Sequence, residues 1–212
     1  AAAAAGGFTT IIGMANTNPP IDDEAGILHV LTEGRKTGIR VKTCATITRG
    51  MAGKELVDMK HLKECGAAGF TDDGKPLVDI ELVKEAMKTA AKLKMPLSFH
   101  EEDPECVKEC GVNHGSVSEQ LGLYGAEAMA EIKMIERDCR LAGEYGAIIN
   151  IQHLSTKEGV DIVRKAKKLG IKVHAEATPH HFSLTQEAVL KYGTNAKMNP
   201  PLRTQEDRLA II

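Results

Sequence analysis

Side chains able to hold a metal ion recur in this chain where short apolar runs end. Asp72 and Asp73 follow Ala67–Phe70, His100 follows Met95–Phe99, and His153 follows Ala147–Ile151. Thr178, Pro179, His180 and His181 follow Ile171–Ala177, and Asn16 follows Phe8–Met14. Taken singly, each has a plain structural reading. Asp-Asp-Gly is turn chemistry, in which the carboxylates bond nearby backbone N–H groups, and a histidine at a strand end reads equally well as a satisfied buried imidazole. Taken together, two histidines and a carboxylate ending parallel strands are the ligand types of a catalytic zinc, which needs protein ligands and one open position. A carboxylate can also bridge two metals that activate one oxygen between them. His180 and His181 are adjacent on a strand pattern, so at most one faces the centre.

The elements needed to position these groups are legible in the periodicity. Six apolar runs, Phe8–Met14, Ile39–Ile47, Ala67–Phe70, Met95–Phe99, Ala147–Ile151 and Ile171–Ala177, read as strands buried on both faces. Between them lie helical stripes, one through Leu82, Val83, Ala86, Met87, Ala90 and Leu93, another through Met129, Ile132, Ile135, Cys139 and Ala142. Ser155-Thr-Lys-Glu158 fits a capping box. Gly38, Gly146 and Gly170 stand where left-handed helix caps are expected. Glu102 to Gly125 reads as a long loop over one end of the sheet. Alternating βα units of this kind predict a doubly wound sheet or a (β/α)8 barrel. The absence of G-x-G-x-x-G and G-x-x-x-x-G-K-[ST] removes support for a nucleotide-binding sheet. Polar residues gathered at strand ends favour the barrel.

Composition narrows the function. A chain of 212 residues with 42% hydrophobic and 26% charged content is an ordinary globular protein. A net charge of −2, 3% aromatics and no Trp offer no footprint for nucleic acid. Five cysteines at irregular spacing, without C-x-x-C, predict reduced thiols and a cytoplasmic setting. Cys106 and Cys110, four apart, share a face if that segment is helical. The first 21 residues are uncharged, but glycine and proline break them and no basic leader precedes them, so a buried helix end and a buried strand are expected rather than a signal or membrane span. The chain begins in an alanine run without Met, so residue 1 is not expected to be the natural start.

The strings GGFTTIIGMANTNPP, GFTDDGKP, SFHEEDP, INIQHLSTKEGV, AEATPHHFSLT and KMNPPLRTQEDR occur in the order found in bacterial class I dihydroorotases of the amidohydrolase superfamily. The chain resembles that family from residue 1 to residue 212. The resemblance implies zinc-dependent interconversion of N-carbamoyl-L-aspartate and L-dihydroorotate in pyrimidine synthesis. By this resemblance His100 and His153 match the two histidines on the second zinc, Asp73 matches the carboxylate bridging both zincs, and Asn16 and Asn199 match asparagines that hold the substrate. Arg203 stands near the site or in a structural ion pair. The same resemblance implies that hydantoinases and allantoinases carry a carboxylated lysine as the bridge, so T-D-D-G argues against them.

The resemblance also implies what the chain lacks. The family's first strand ends in H-x-H-x-R, and no H-x-H occurs here. Its late aspartate, the general acid/base, would lie beyond residue 212, so no catalytic residue is assigned within the chain. The expectation is therefore one domain over residues 1–212, an incomplete (β/α)8 barrel with about six of its eight strands, without the terminal β-sandwich segments. Two exposed sheet edges would leave such a piece poorly stable and inactive by itself. Its partners would be the small-molecule substrate and either a second copy or a carbamoyltransferase, with no nucleic acid and no membrane. The rival readings are a hydantoinase- or allantoinase-type hydrolase, and a non-catalytic barrel serving as a structural subunit.

Overall fold

A computed structural model describes residues 1–212, which divide into two compact units. The first comprises Ala1–His100 with Tyr145–Ile148, the second Glu101–Glu144 with Ile149–Ile212. No helix is long and apolar enough to cross a membrane.

The first unit runs α1 (Ala2–Ala5), β1 (Thr10–Gly13), α2 (Glu24–Gly34), β2 (Arg40–Thr43), α3 (Met59–Glu64), β3 (Phe70–Thr71), α4 (Ile80–Leu93) and β4 (Pro96–Phe99). β1 pairs parallel to β2 with Thr10 opposite Arg40, and β3 pairs parallel to β4 with Phe70 opposite Leu97. Beyond β2 the backbone continues the ladder: Ala45 N–H donates to Gly69 O at 3.0 Å, and Thr71 N–H to Ala45 O at 2.9 Å. Helices cover this parallel arrangement for identifiable reasons. Asp79 caps α4 by accepting from the N–H groups of Glu81 and Leu82, and Leu82, Val83, Ala86, Met87 and Ala90 bury one stripe. Lys94, at φ +53°, turns the chain out of the helix into Pro96, which cannot continue it. α2 lies so close to β2 that a Cβ on Gly34 would meet Val41 Cβ at 2.6 Å. Phe70, Leu97, Ile27, Ile47, Met59 and Met87 fill the core, each contributing about 1.5–3 kcal/mol by leaving water.

The second unit contains α5 (Ser116–Gln120), α6 (Met129–Tyr145), β5 (Ile148–Ile151), α7 (Lys157–Lys168), β6 (Val173–Ala175), α8 (Pro179–Ser183), α9 (Ala188–Tyr192) and α10 (Gln205–Ile211). α6 and β5 each place their adjoining ends, Tyr145 and Ile148, in the first unit. β5 and β6 are parallel, with Ile149 opposite Val173. Ile135, Leu141, Ile149, Ile151 and Val173 are buried, and Val112, Val117, Val189, Ala196 and Leu202 form a second apolar cluster.

Five of the six expected runs contain a strand, β3 begins only at the last residue of the run Ala67–Phe70, and every strand pairing described is parallel, an α/β fold. Several local expectations need correction. α1 buries nothing, and Phe8 and Ile12 are exposed, because β1 is paired on one side only. The buried face of α6 keeps Ile135, Cys139 and Ala142 from the expected stripe, but Met129 is exposed, and Glu131 and Asp138, seven apart, also point inward. The capping residue of α7 is Thr156, whose hydroxyl accepts from Gly159 N–H, while Ser155 Oγ accepts from Arg203 instead. Gly146 and Gly170 do adopt positive φ, but Gly38 does not, since α2 ends earlier at Gly34. Glu102 to Gly125 holds one 3-10 turn, Pro104–Cys106, and α5. Cys106 is buried and Cys110 exposed, so they share no face, and all five cysteines are free thiols.

Candidate metal centre

In the first unit the two adjacent aspartates part company at the end of β3. Asp72 is buried. Its Oδ1 accepts from the N–H groups of Ile47 at 2.7 Å and Thr48 at 3.1 Å, and its Oδ2 from the Thr48 hydroxyl. Burial pushes its carboxyl up, against the opposing pull of those donors and Lys75. Asp72 therefore fastens the segment after β2 to the end of β3. Asp73 is half-buried, and Gly74 at φ +80° carries the turn that follows it. Asn16 Nδ2 donates to Asp73 Oδ2 at 3.0 Å. His100, buried at the end of β4, puts a ring nitrogen within 4.8 Å of an Asp73 carboxylate oxygen. Asn16, Asp73 and His100 are thus brought together at the C-terminal ends of three parallel strands.

In the second unit His153 follows β5, half-buried, with φ +36°. That backbone region is strained for a histidine by about 1–3 kcal/mol and persists only where its surroundings hold it. Leu154 N–H bonds Glu176 O at 2.8 Å, and Glu176 N–H bonds Ile151 O at 2.9 Å, which ties the His153 segment to the end of β6. Immediately beyond, Glu131 of α6 accepts from Ser155 N–H at 2.9 Å, Ser155 Oγ at 2.8 Å, Thr156 N–H at 2.8 Å and the Thr156 hydroxyl. Arg203 completes this buried lattice, donating to Ser155 Oγ at 3.1 Å, Asn113 Oδ1 at 2.7 Å and Ala126 O at 3.0 Å. Its role is structural, one of the two readings open to it in the sequence. Glu131 had no sequence signal, because an acid near a helix start ordinarily reads as a solvated residue facing the dipole.

His181 is buried, with Nδ1 at 2.8 Å from Thr178 Oγ1 and Nε2 at 3.0 Å from Pro200 O. A carbonyl only accepts, so Nε2 is assigned the proton and Nδ1 accepts from the Thr178 hydroxyl. Burial lowers its pKa to about 4, which makes His181 a neutral structural imidazole. Asn199 is exposed, between the 3-10 turn Gly193–Ala196 and α10.

Imidazole nitrogen and carboxylate oxygen, as offered by Asp73 and His100, suit Zn2+ and other borderline divalent cations. The half-buried setting of Asp73 leaves room for a further ligand.

A family described as dihydro-orotase-like matches residues 1–159. The chain is 56% identical over 210 residues to a dihydroorotase of Clostridioides difficile, covering 99% of this chain and 50% of that protein. It is 52% identical over 211 residues to a dihydroorotase of Clostridium acetobutylicum, covering 100% and 50%. The chain thus spans about half the length of the curated relatives it matches. Among solved structures, an L-hydantoinase (dihydropyrimidinase) from Arthrobacter aurescens superposes with TM-score 0.82 at 21% identity, covering 99% of this chain and 48% of that one. A Saccharomyces cerevisiae dihydroorotase in complex with 5-fluoroorotic acid gives TM-score 0.69 at 16% identity, covering 97% and 57%. At these identities the structural matches bear on the fold alone.

Proposed function

The chain belongs to the dihydro-orotase-like family, and from that premise we propose that the protein is a dihydroorotase, interconverting L-dihydroorotate and N-carbamoyl-L-aspartate in pyrimidine synthesis. The observation that carries the reading is Asp73, at the end of β3 with a ligand oxygen within 4.8 Å of a His100 nitrogen, in a chain 56% identical to a dihydroorotase. The parallel βα units are read as part of a (β/α)8 barrel over residues 1–212, and its setting as cytoplasmic, with a second copy or a carbamoyltransferase as the macromolecular partner.

The proposed ligands are Asp73, His100 and His153, with Asp73 as the bridge between two zinc ions. Their donor chemistry fits zinc. Bound zinc would supply the Lewis acidity that hydrolysis of an unactivated cyclic amide demands. In the hydrolytic direction water oxygen joins the ring carbonyl carbon, the C–N bond breaks, and a proton goes to the departing nitrogen. Asn16 holds Asp73 through its amide N–H, and its amide oxygen can accept from a substrate N–H. Asn199, exposed and uncharged, is proposed to donate to a substrate carboxylate.

A substrate panel on the intact protein tests this. Dihydroorotate should be turned over at least about a hundredfold faster than hydantoin or allantoin, a preference of roughly 3 kcal/mol. Asp73→Ala should remove the zinc held at the strand ends and turnover together. A hydantoin preference, or Asp73→Ala protein with unchanged zinc and activity, would overturn the assignment.

A further inference from the structure

A second group of metal-binding side chains lies in the first unit, away from the strand ends. Glu24 is the first residue of α2, His61 sits in α3, and Cys65 is the C-terminal capping residue of α3. His61 and Cys65 are four apart and therefore share one face of the helix. His61 Nε2 lies 3.4 Å from Glu24 Oε2 and 3.6 Å from Cys65 Sγ. The oxygen, nitrogen and sulfur all lie within 4.8 Å of one another. From these positions we infer that Glu24, His61 and Cys65 form a binding site for a thiophilic divalent cation such as Zn2+.

The distances carry the inference. Zinc bonds of roughly 2.0–2.1 Å to nitrogen and oxygen and about 2.3 Å to sulfur, at tetrahedral angles, place N and O about 3.3 Å apart and N and S about 3.6 Å apart. The His61–Glu24 and His61–Cys65 separations match both edges. The oxygen–sulfur edge is the looser one, and Glu24, with about half its side chain exposed, can swing to close it. One imidazole nitrogen thus stands at the apex between a carboxylate and a thiol, the mixed N/O/S set that zinc accepts and magnesium or calcium does not. Three protein ligands leave a fourth position for water or another small ligand.

The surroundings favour a cation. Asp22, Asp23, Glu24, Asp58 and His61 line a cavity of about 300 Å³ in which Arg49 is the only Lys or Arg, and Arg49 is already paired with Glu55 at 3.3 Å. Asp23 and Asp58 spend one oxygen each on capping α2 and α3, which fixes the two helices that carry the ligands. Burial, then Glu24 and Glu64, raise the Cys65 thiol. The arriving metal must therefore displace that proton itself, as it does for any coordinating thiol. The site extends the metal chemistry of this chain without depending on the activity proposed above.

Cobalt(II) added to the intact protein provides the test, because thiolate coordination produces a charge-transfer band in the near ultraviolet that oxygen and imidazole ligands do not. The band should appear in the wild type, persist in Asp73→Asn, and vanish in Cys65→Ser. His61→Gln and Glu24→Gln should each weaken cobalt binding at that band at least about tenfold, the lower end of what loss of a supporting group costs a metal site. Absence of the band in the wild type, or its retention in Cys65→Ser, overturns the inference. Should Cys65→Ser fail to fold by circular dichroism, the surface change Glu24→Gln decides, and unchanged affinity there overturns it as well.

Discussion

Replacing Asp72 or Asp73 by asparagine changes one atom in each case, yet the two substitutions act on different things. Asp72 receives two backbone N–H groups and a hydroxyl in a buried setting. An amide nitrogen turned toward any of those donors loses a charge-assisted bond and adds a clash of like dipoles. Asp72→Asn is therefore expected to cost about 2–3 kcal/mol of stability and to leave cobalt or zinc stoichiometry at Asp73 intact. Asp73→Asn should do the reverse, with an unfolding midpoint near wild type and loss of the metal at the strand ends. Urea unfolding and metal analysis on the two variants check this, and a common phenotype for both would sink the division of labour. The sequence announced the pair but not the division. A strand end followed by Asp-Asp-Gly is equally good turn and ligand chemistry, and Thr48, 24 residues earlier in the chain, is what decides between them.

At the scale of elements, the strands were legible because parallel strands leave apolar runs, and each run contains its strand or, at β3, meets its first residue. What the periodicity could not show is that two acids share the inward face of α6. The helix buries Glu131 and Asp138 with its apolar residues, because each has a partner outside the stripe. Glu131 receives Ser155 and Thr156, and Asp138 is gripped by Arg137 through bonds of 2.7 and 3.0 Å. The cap of α7 falls at Thr156 rather than Ser155, whose hydroxyl oxygen accepts from Arg203 instead. Glu131→Gln should therefore act on α7 and the strained His153 segment rather than on α6. An unfolding loss of about 2–4 kcal/mol is expected, together with faster hydrogen exchange over residues 154–159. A midpoint within about 0.5 kcal/mol of wild type, or unchanged exchange in that segment, would contradict this account of how the His153 turn is held.

For the molecule as a whole, acid stability is set by buried ionisable groups that pull in opposite directions. Burial raises Asp72, Glu131 and Asp138, and burial with the nearby Asp138 carboxylate raises Glu101 well above the usual range. Such groups hold their protons to higher pH in the folded state, so their contribution falls as pH rises. His181 does the opposite. Its pKa drops from 6.5 to about 4 on folding, so between those values the unfolded chain binds the extra proton. The stability due to its neutral form is complete above pH 6.5 and is lost as pH falls toward 4, a swing of about 3 kcal/mol. Wild-type unfolding alone mixes the two signs, but the difference between wild type and His181→Gln separates them. Glutamine can still donate to Pro200 O and does not titrate. The stability advantage of the wild type at pH 7 should shrink by about 3 kcal/mol by pH 4, read from urea midpoints across that range. Parallel curves for the two proteins would show that His181 does not enter the fold as a neutral, carbonyl-bonded imidazole.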